Sequence, residues 1–161
     1  MAEGEKKVMV AVDDSECNRY AFEWFLENLL PSLSTQLYVF HVEPLDNISY
    51  AYAASLGAAP PQLIEALQDQ QRKITKVLVD KIKEICTKRS ITAEIITVRG
   101  EPKDAICEAV EKYQIELLVL GSHGRGALQR AFLGSVSNYC VHHAKCPVLV
   151  VKKPKQTSGA S

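Results

Sequence analysis

The stretch Ile115 to Val136, IELLVLGSHGRGALQRAFLGSV, restricts what this chain can fold into. Ile115 and the run Leu117-Leu118-Val119-Leu120 read as a strand buried on both faces. A turn rich in glycine follows, Gly121-Ser122-His123-Gly124-Arg125-Gly126, and then an amphipathic helix pattern that opens at Ala127 and carries a second small pair, Gly134-Ser135. A strand that turns through glycines into a helix start aims backbone N–H groups at an anion. Glycine suits such a turn because it accepts positive φ and keeps a Cβ out of the ligand's way. The stretch reads as a phosphate cradle, and a cradle of this kind belongs to α/β folds.

The remainder of the chain agrees with that class. KVMVAVD at residues 7–13 is a second apolar run, ending in an acid, and Asp14 and Ser15 are helix caps for a segment running to Leu30 before Pro31. TQLYVFHV at 35–42 is a strand, residues 61–89 carry helical spacing, and 91–98 alternate as a strand. After the turn Gly100-Glu101-Pro102, a helix is expected over 102–113, then the strand 115–120, a helix over 127–143 and a last strand at 146–151. Strands alternating with helices imply right-handed parallel crossovers and a three-layer α/β domain. Residues 43–62 are too long for an ordinary strand-to-helix turn of about 2 to 6 residues. They leave the sheet edge where ligands bind, as a lid or as a tolerated surface insertion. The tail 153–161, rich in Lys, Ser and Gly, is expected to be disordered.

Spacing narrows the cradle. No Gly-Lys pair occurs, which excludes a Walker loop, and Gln129 stands where a dinucleotide fingerprint needs its third glycine. What stands is Gly121-x2-Gly124-x9-Gly134-Ser135. This resembles the nucleotide-binding motif of the universal stress protein family, and the likeness covers residues 5–152. The resemblance implies a Rossmann-like five-stranded parallel sheet of order 3-2-1-4-5. It implies ATP, or AMP or ADP, with phosphates and ribose held by the loop and by the second small pair: Gly121, Ser122, His123, Gly124, Arg125, Gly126, Gly134, Ser135, Val136 and Ser137. Asp13 would contact the adenine-ribose part, with the backbone of Ala11 and Val12 framing the base and that of Val42 at the adenine edge. Magnesium or manganese would be held mainly by the phosphates, with no metal site made by the protein. The last strand, Val148 to Val151, would pair across a homodimer two-fold; the alternative is that Lys145 and Lys152-Lys153 are charges guarding a monomer's edge.

Several side chains have plainer readings beside these. Asp13 or Asp14 has the plainer reading of a cap for the helix that follows, and Ser135 that of an ordinary helix serine. His142 and His143, near Cys140 and Cys146, lack the paired spacing of a zinc site and suit a helix C-terminus. With 19 basic and 19 acidic residues the chain has no net field that would favour nucleic acid, and no apolar run is long enough for a membrane span. Five cysteines without a secretory leader imply reduced thiols in a cytoplasmic or nuclear setting. A cytosolic stress-response module that binds nucleotide is the leading expectation. The alternatives are a slow ATP hydrolase, which the loop serves poorly because it has no lysine and no carboxylate, and a thiol-dependent holdase or redox sensor.

Overall fold

The computed structural model describes residues 4–45, 55, 57, 60–123 and 133–154. Five strands, β1 (Lys6–Val12), β2 (Thr35–Pro44), β3 (Ala93–Gly100), β4 (Leu117–Gly121) and β5 (Val148–Val151), form one sheet in the order β3-β2-β1-β4-β5. Every pairing is parallel, with Val10 opposite Val39 on one side and Val119 on the other. Helices α1 (Glu16–Asn28), α2 (Pro61–Lys88), α3 (Pro102–Lys112) and α4 (Ser135–His143) make the crossovers.

Side-chain alternation divides the core in two. Val8, Val10 and Val12 of β1 meet Phe22, Phe25 and Leu26 of α1 and Ile82 of α2 on one face. Met9 and Ala11 meet Ile106 and Val110 of α3 and Cys140 of α4 on the other. Both faces of β1 are therefore dry, which is why its sequence is apolar without interruption. Phe25 and Phe40 are fully buried, and burial of a side chain of that size stabilises by about 1.5–3 kcal/mol.

Several boundaries differ from the sequence expectation; β2 runs on to Pro44, and β3 and β5 begin at Ala93 and Val148 rather than at 91 and 146. The strand expected from Ile115 begins at Leu117, because the Ile115 N–H closes the end of α3 on the carbonyl of Val110 at 2.9 Å. Gly100 belongs to β3, paired with Pro44, and not to the following turn. Finally, the helix expected over 127–143 begins, among the described residues, only at Ser135. Gly134 stands before it with extended backbone (φ −66°, ψ 163°) and serves as its N-cap. Residues 46–54 of the long connection and 155–161 of the tail lie outside the described residues. At the start of that tail, the Lys153 ammonium pairs with Glu16 at 2.8 Å, and Lys145 pairs with Glu111 at 2.7 Å.

Candidate functional site

In a parallel sheet all strands end at one edge, and where the chain order reverses the helices diverge and leave a crevice. Here the reversal lies between β1 and β4. A cavity of about 300 Å³ opens there, at the lower end of the small-molecule range of about 300–1,000 Å³. Ala11, Val12 and Asp13 from the end of β1 and Val42 from the end of β2 form one wall, and Gly121, Ser135, Val136 and Ser137 form another. Eight of the residues singled out in the sequence thus share one cavity. Between the walls the lining is apolar, from Phe40, Ile106 and Leu120.

The two small-residue motifs are joined by main chain. The Gly134 N–H donates to the carbonyl of Ser122 at 2.7 Å, and the Ser122 N–H donates to that of Val151 at 3.2 Å. Ser137, buried, donates its hydroxyl to the carbonyls of Gly121 (2.7 Å) and Ser122 (3.1 Å). These bonds pin the start of α4 against the end of β4. Ser122 and Gly134 do not line the cavity but close the frame behind it, and the Ser122 hydroxyl lies 3.1 Å from Nδ1 of His123. Gly124, Arg125 and Gly126 lie outside the described residues.

The N-terminus of α4 faces this cavity with no side-chain cap. The first-turn N–H groups of a helix have no partner within it, and the helix dipole adds positive potential there. Helix α1 is built differently. Its N-cap is Ser15, whose Oγ accepts the Asn18 N–H at 3.3 Å, while Asp13 Oδ1 accepts the Ser15 N–H at 2.8 Å and its hydroxyl. Asp13 therefore supports the cap and also lines the cavity, so its two readings are compatible.

Two residues at this crevice were not singled out in the sequence. The Asn18 amide oxygen accepts the Gly121 N–H at 2.9 Å and tethers α1 to β4. A Cβ built on Gly121 would lie 2.6 Å from that oxygen and 2.8 Å from the main chain of Cys17. The glycine is needed for helix packing, a requirement apart from any ligand. His41, 5% exposed, has Nδ1 2.9 Å from the carbonyl of Val12 and a buried Nε2 without a hydrogen-bond partner in the structure. A carbonyl can only accept, so Nδ1 is the donor in this contact. Asn18 sits within the first turn of α1 and His41 within the apolar run of β2, and neither side chain gave a signal in the sequence. Among the described residues no cluster of three or more His, Cys, Asp or Glu side chains could hold a metal ion. The imidazoles of His142 and His143 lie 2.8 and 2.9 Å from the carbonyls of Asn138 and Tyr139 in the last turn of α4.

Sheet order, crevice and pinned helix start define a doubly wound α/β domain with a small-molecule cavity at its switch point. A profile described as the universal stress protein family matches residues 5–152, and the chain belongs to that family. A universal stress protein A-like protein of Arabidopsis thaliana is 34% identical, over 91% of this chain and 90% of its own. Among solved structures, the universal stress protein UspA of Lactobacillus plantarum superposes with a TM-score of 0.75 at 23% identity, covering 91% of this chain and 97% of its own. An Arabidopsis thaliana family member with AMP bound superposes at 0.67 with 25% identity, covering 97% of each chain.

Proposed function

We propose that this chain binds an adenine nucleotide, ATP with AMP or ADP as alternatives, in the crevice between β1 and β4, and serves as a cytoplasmic stress-response module. The observation that carries the reading is the uncapped N-terminus of α4 beside Asp13 and an apolar slot. The donor set fits such a ligand. Backbone N–H groups and the hydroxyl of Ser135 suit phosphate, a carboxylate suits ribose hydroxyls, and apolar walls suit a flat base. The AMP complex of the Arabidopsis relative supports the choice of adenine. Magnesium or manganese, where it accompanies the triphosphate, is held by phosphate oxygens. The module acts as a homodimer joined along β5.

The test is calorimetry with ATP and AMP on wild type and Ser135→Ala. Loss of one hydrogen bond to a charged phosphate weakens binding by about 1.5–3 kcal/mol, or roughly 10- to 150-fold. Equal affinity in two natively melting proteins would remove phosphate from this helix start.

A further inference from the structure

A second cavity, of about 400 Å³, opens between α1 and α2. Its floor is apolar, from Phe22 of α1 and Ile74, Leu78, Ile82 and Ile85 of α2. Along its rim stand Arg19, Lys73 and Lys81, all exposed. None of the three cations joins an ion pair among the described residues. Lys73, Val77 and Lys81 fall four residues apart, so they form one row on α2 beside the apolar row. Val77, within that row, is 69% exposed, well above the other large hydrophobics at the surface. Two carboxylates, Asp13 and Asp14, also reach the groove, where it adjoins the nucleotide crevice. Neither is free, and Asp13 is occupied by Ser15.

Lys81 and Arg19 lie near the carboxylates of Glu84 and Glu16 without a contact ion pair to them, and apolar floor and cationic rim together call for a ligand with a hydrocarbon body and an anionic head. We propose that this groove binds a small anionic amphiphile of the medium-chain carboxylate class, its tail along Phe22, Leu78 and Ile82 and its head among Lys73, Lys81 and Arg19. A cavity of this volume fits one small molecule. An acidic helix would instead need an open groove with several anchor pockets in register. The groove shares Val12, Asp13, Asp14, Ile74 and Leu78 with the nucleotide crevice, but Phe22, Ile82 and the three cations line it alone, and the proposal does not rest on the nucleotide reading.

The experiment is calorimetry of the full chain with decanoate, decanol and decyltrimethylammonium, each below its micelle concentration. One decanoate is expected per chain, bound at least ten-fold more tightly than decanol, with the ammonium weakest. The double variant Lys73→Glu, Lys81→Glu changes only exposed side chains. It should lose at least ten-fold in decanoate affinity and gain in ammonium affinity. Val77→Asp, also exposed, should weaken decanoate while the melting curve stays native. Where AMP binds, a titration at saturating AMP should still find one decanoate per chain. No saturable decanoate binding, equal affinity for all three head groups, wild-type affinity in the double variant, or complete exclusion by AMP would each overturn the proposal. The head-group series on wild type decides the matter even if a variant fails to fold.

Discussion

At Gly121 one missing side chain lets α1 approach β4 closely enough for Asn18 to hold the strand end. Gly121→Ala would press a Cβ against the main chain of Cys17, and backbone cannot rotate away as a flexible side chain can. Overpacking of this kind costs about 1–3 kcal/mol, and the urea midpoint of Gly121→Ala should fall accordingly with or without nucleotide. A variant as stable as wild type would mean that α1 shifts freely. Cys140 gives a second test. Burial, with the Cys107 and Cys146 thiols adding to it, pushes its thiol up to about 12 from an ordinary 9.0. The folded state thus holds this proton more tightly than the unfolded chain. The resulting contribution is complete below about pH 9 and is lost as pH rises from there towards 12, at up to about 1.4 kcal/mol per pH unit. Urea melts at pH 8 and pH 10 should show wild type losing about 1 kcal/mol more than Cys140→Ala across that interval. Equal losses would show that the thiol is not desolvated. All five cysteines are free, and Sγ of Cys107 lies 4.0 Å from Sγ of Cys140, too far for a disulfide bond of about 2.05 Å.

Among the elements, the helix ends explain what the sequence conveyed and what it did not. Helices α2 and α3 stop without glycine. Ser90 and Gln114 take left-handed backbone, φ 54° and 55°, so that the next N–H reaches back to Cys86 and Val110. Left-handed backbone costs an L-residue about 1–2 kcal/mol, partly offset by the entropy that glycine loses on folding. Gln114→Gly should therefore stabilise by about 0.5–1 kcal/mol, seen as a raised melting temperature. An unchanged or lowered one would mean that the glutamine side chain offsets the strain. The same feature hid the true start of β4, since nothing in Gln114-Ile115 announces a turn. Strands β1, β2 and β4 were legible because burial on both faces leaves unbroken apolar runs. The helix start at Ser135, after extended backbone at Gly134, was not, because the pattern read as one helix from Ala127 runs through Val136 with no proline to mark a start there. Eight of the singled-out residues meet in one cavity because motif spacing fixes which strand ends carry them. Asn18 and His41 were missed because their parts arise from neighbours distant in sequence, Gly121 and Val12.

In the whole molecule, the sheet has two edges, and β5 is the shorter and the more apolar of them. The Leu118 N–H reaches the carbonyl of Pro147 at 3.0 Å, and that of Ser122 reaches Val151 at 3.2 Å. With Leu118 opposite Val148 and Leu120 opposite Val150, these bonds turn Pro147, Leu149 and Val151 towards β4. By the alternation of a strand, Val148 and Val150 direct their main-chain groups outward, along the edge where a second copy is proposed to pair. Proline at 149 would cut the ladder inside the monomer and report only on folding. Val150→Pro removes an outward N–H and leaves the bonds to β4 in place. It should therefore sediment as a monomer at concentrations where wild type is a dimer, with a circular dichroism spectrum like that of wild type. The wild-type melting temperature should rise with protein concentration, while that of Val150→Pro should not. Wild type that sediments as a monomer at tens of micromolar would sink the proposed assembly. So would a Val150→Pro dimer as tight as wild type, because pairing along this edge cannot survive the loss of that donor unchanged.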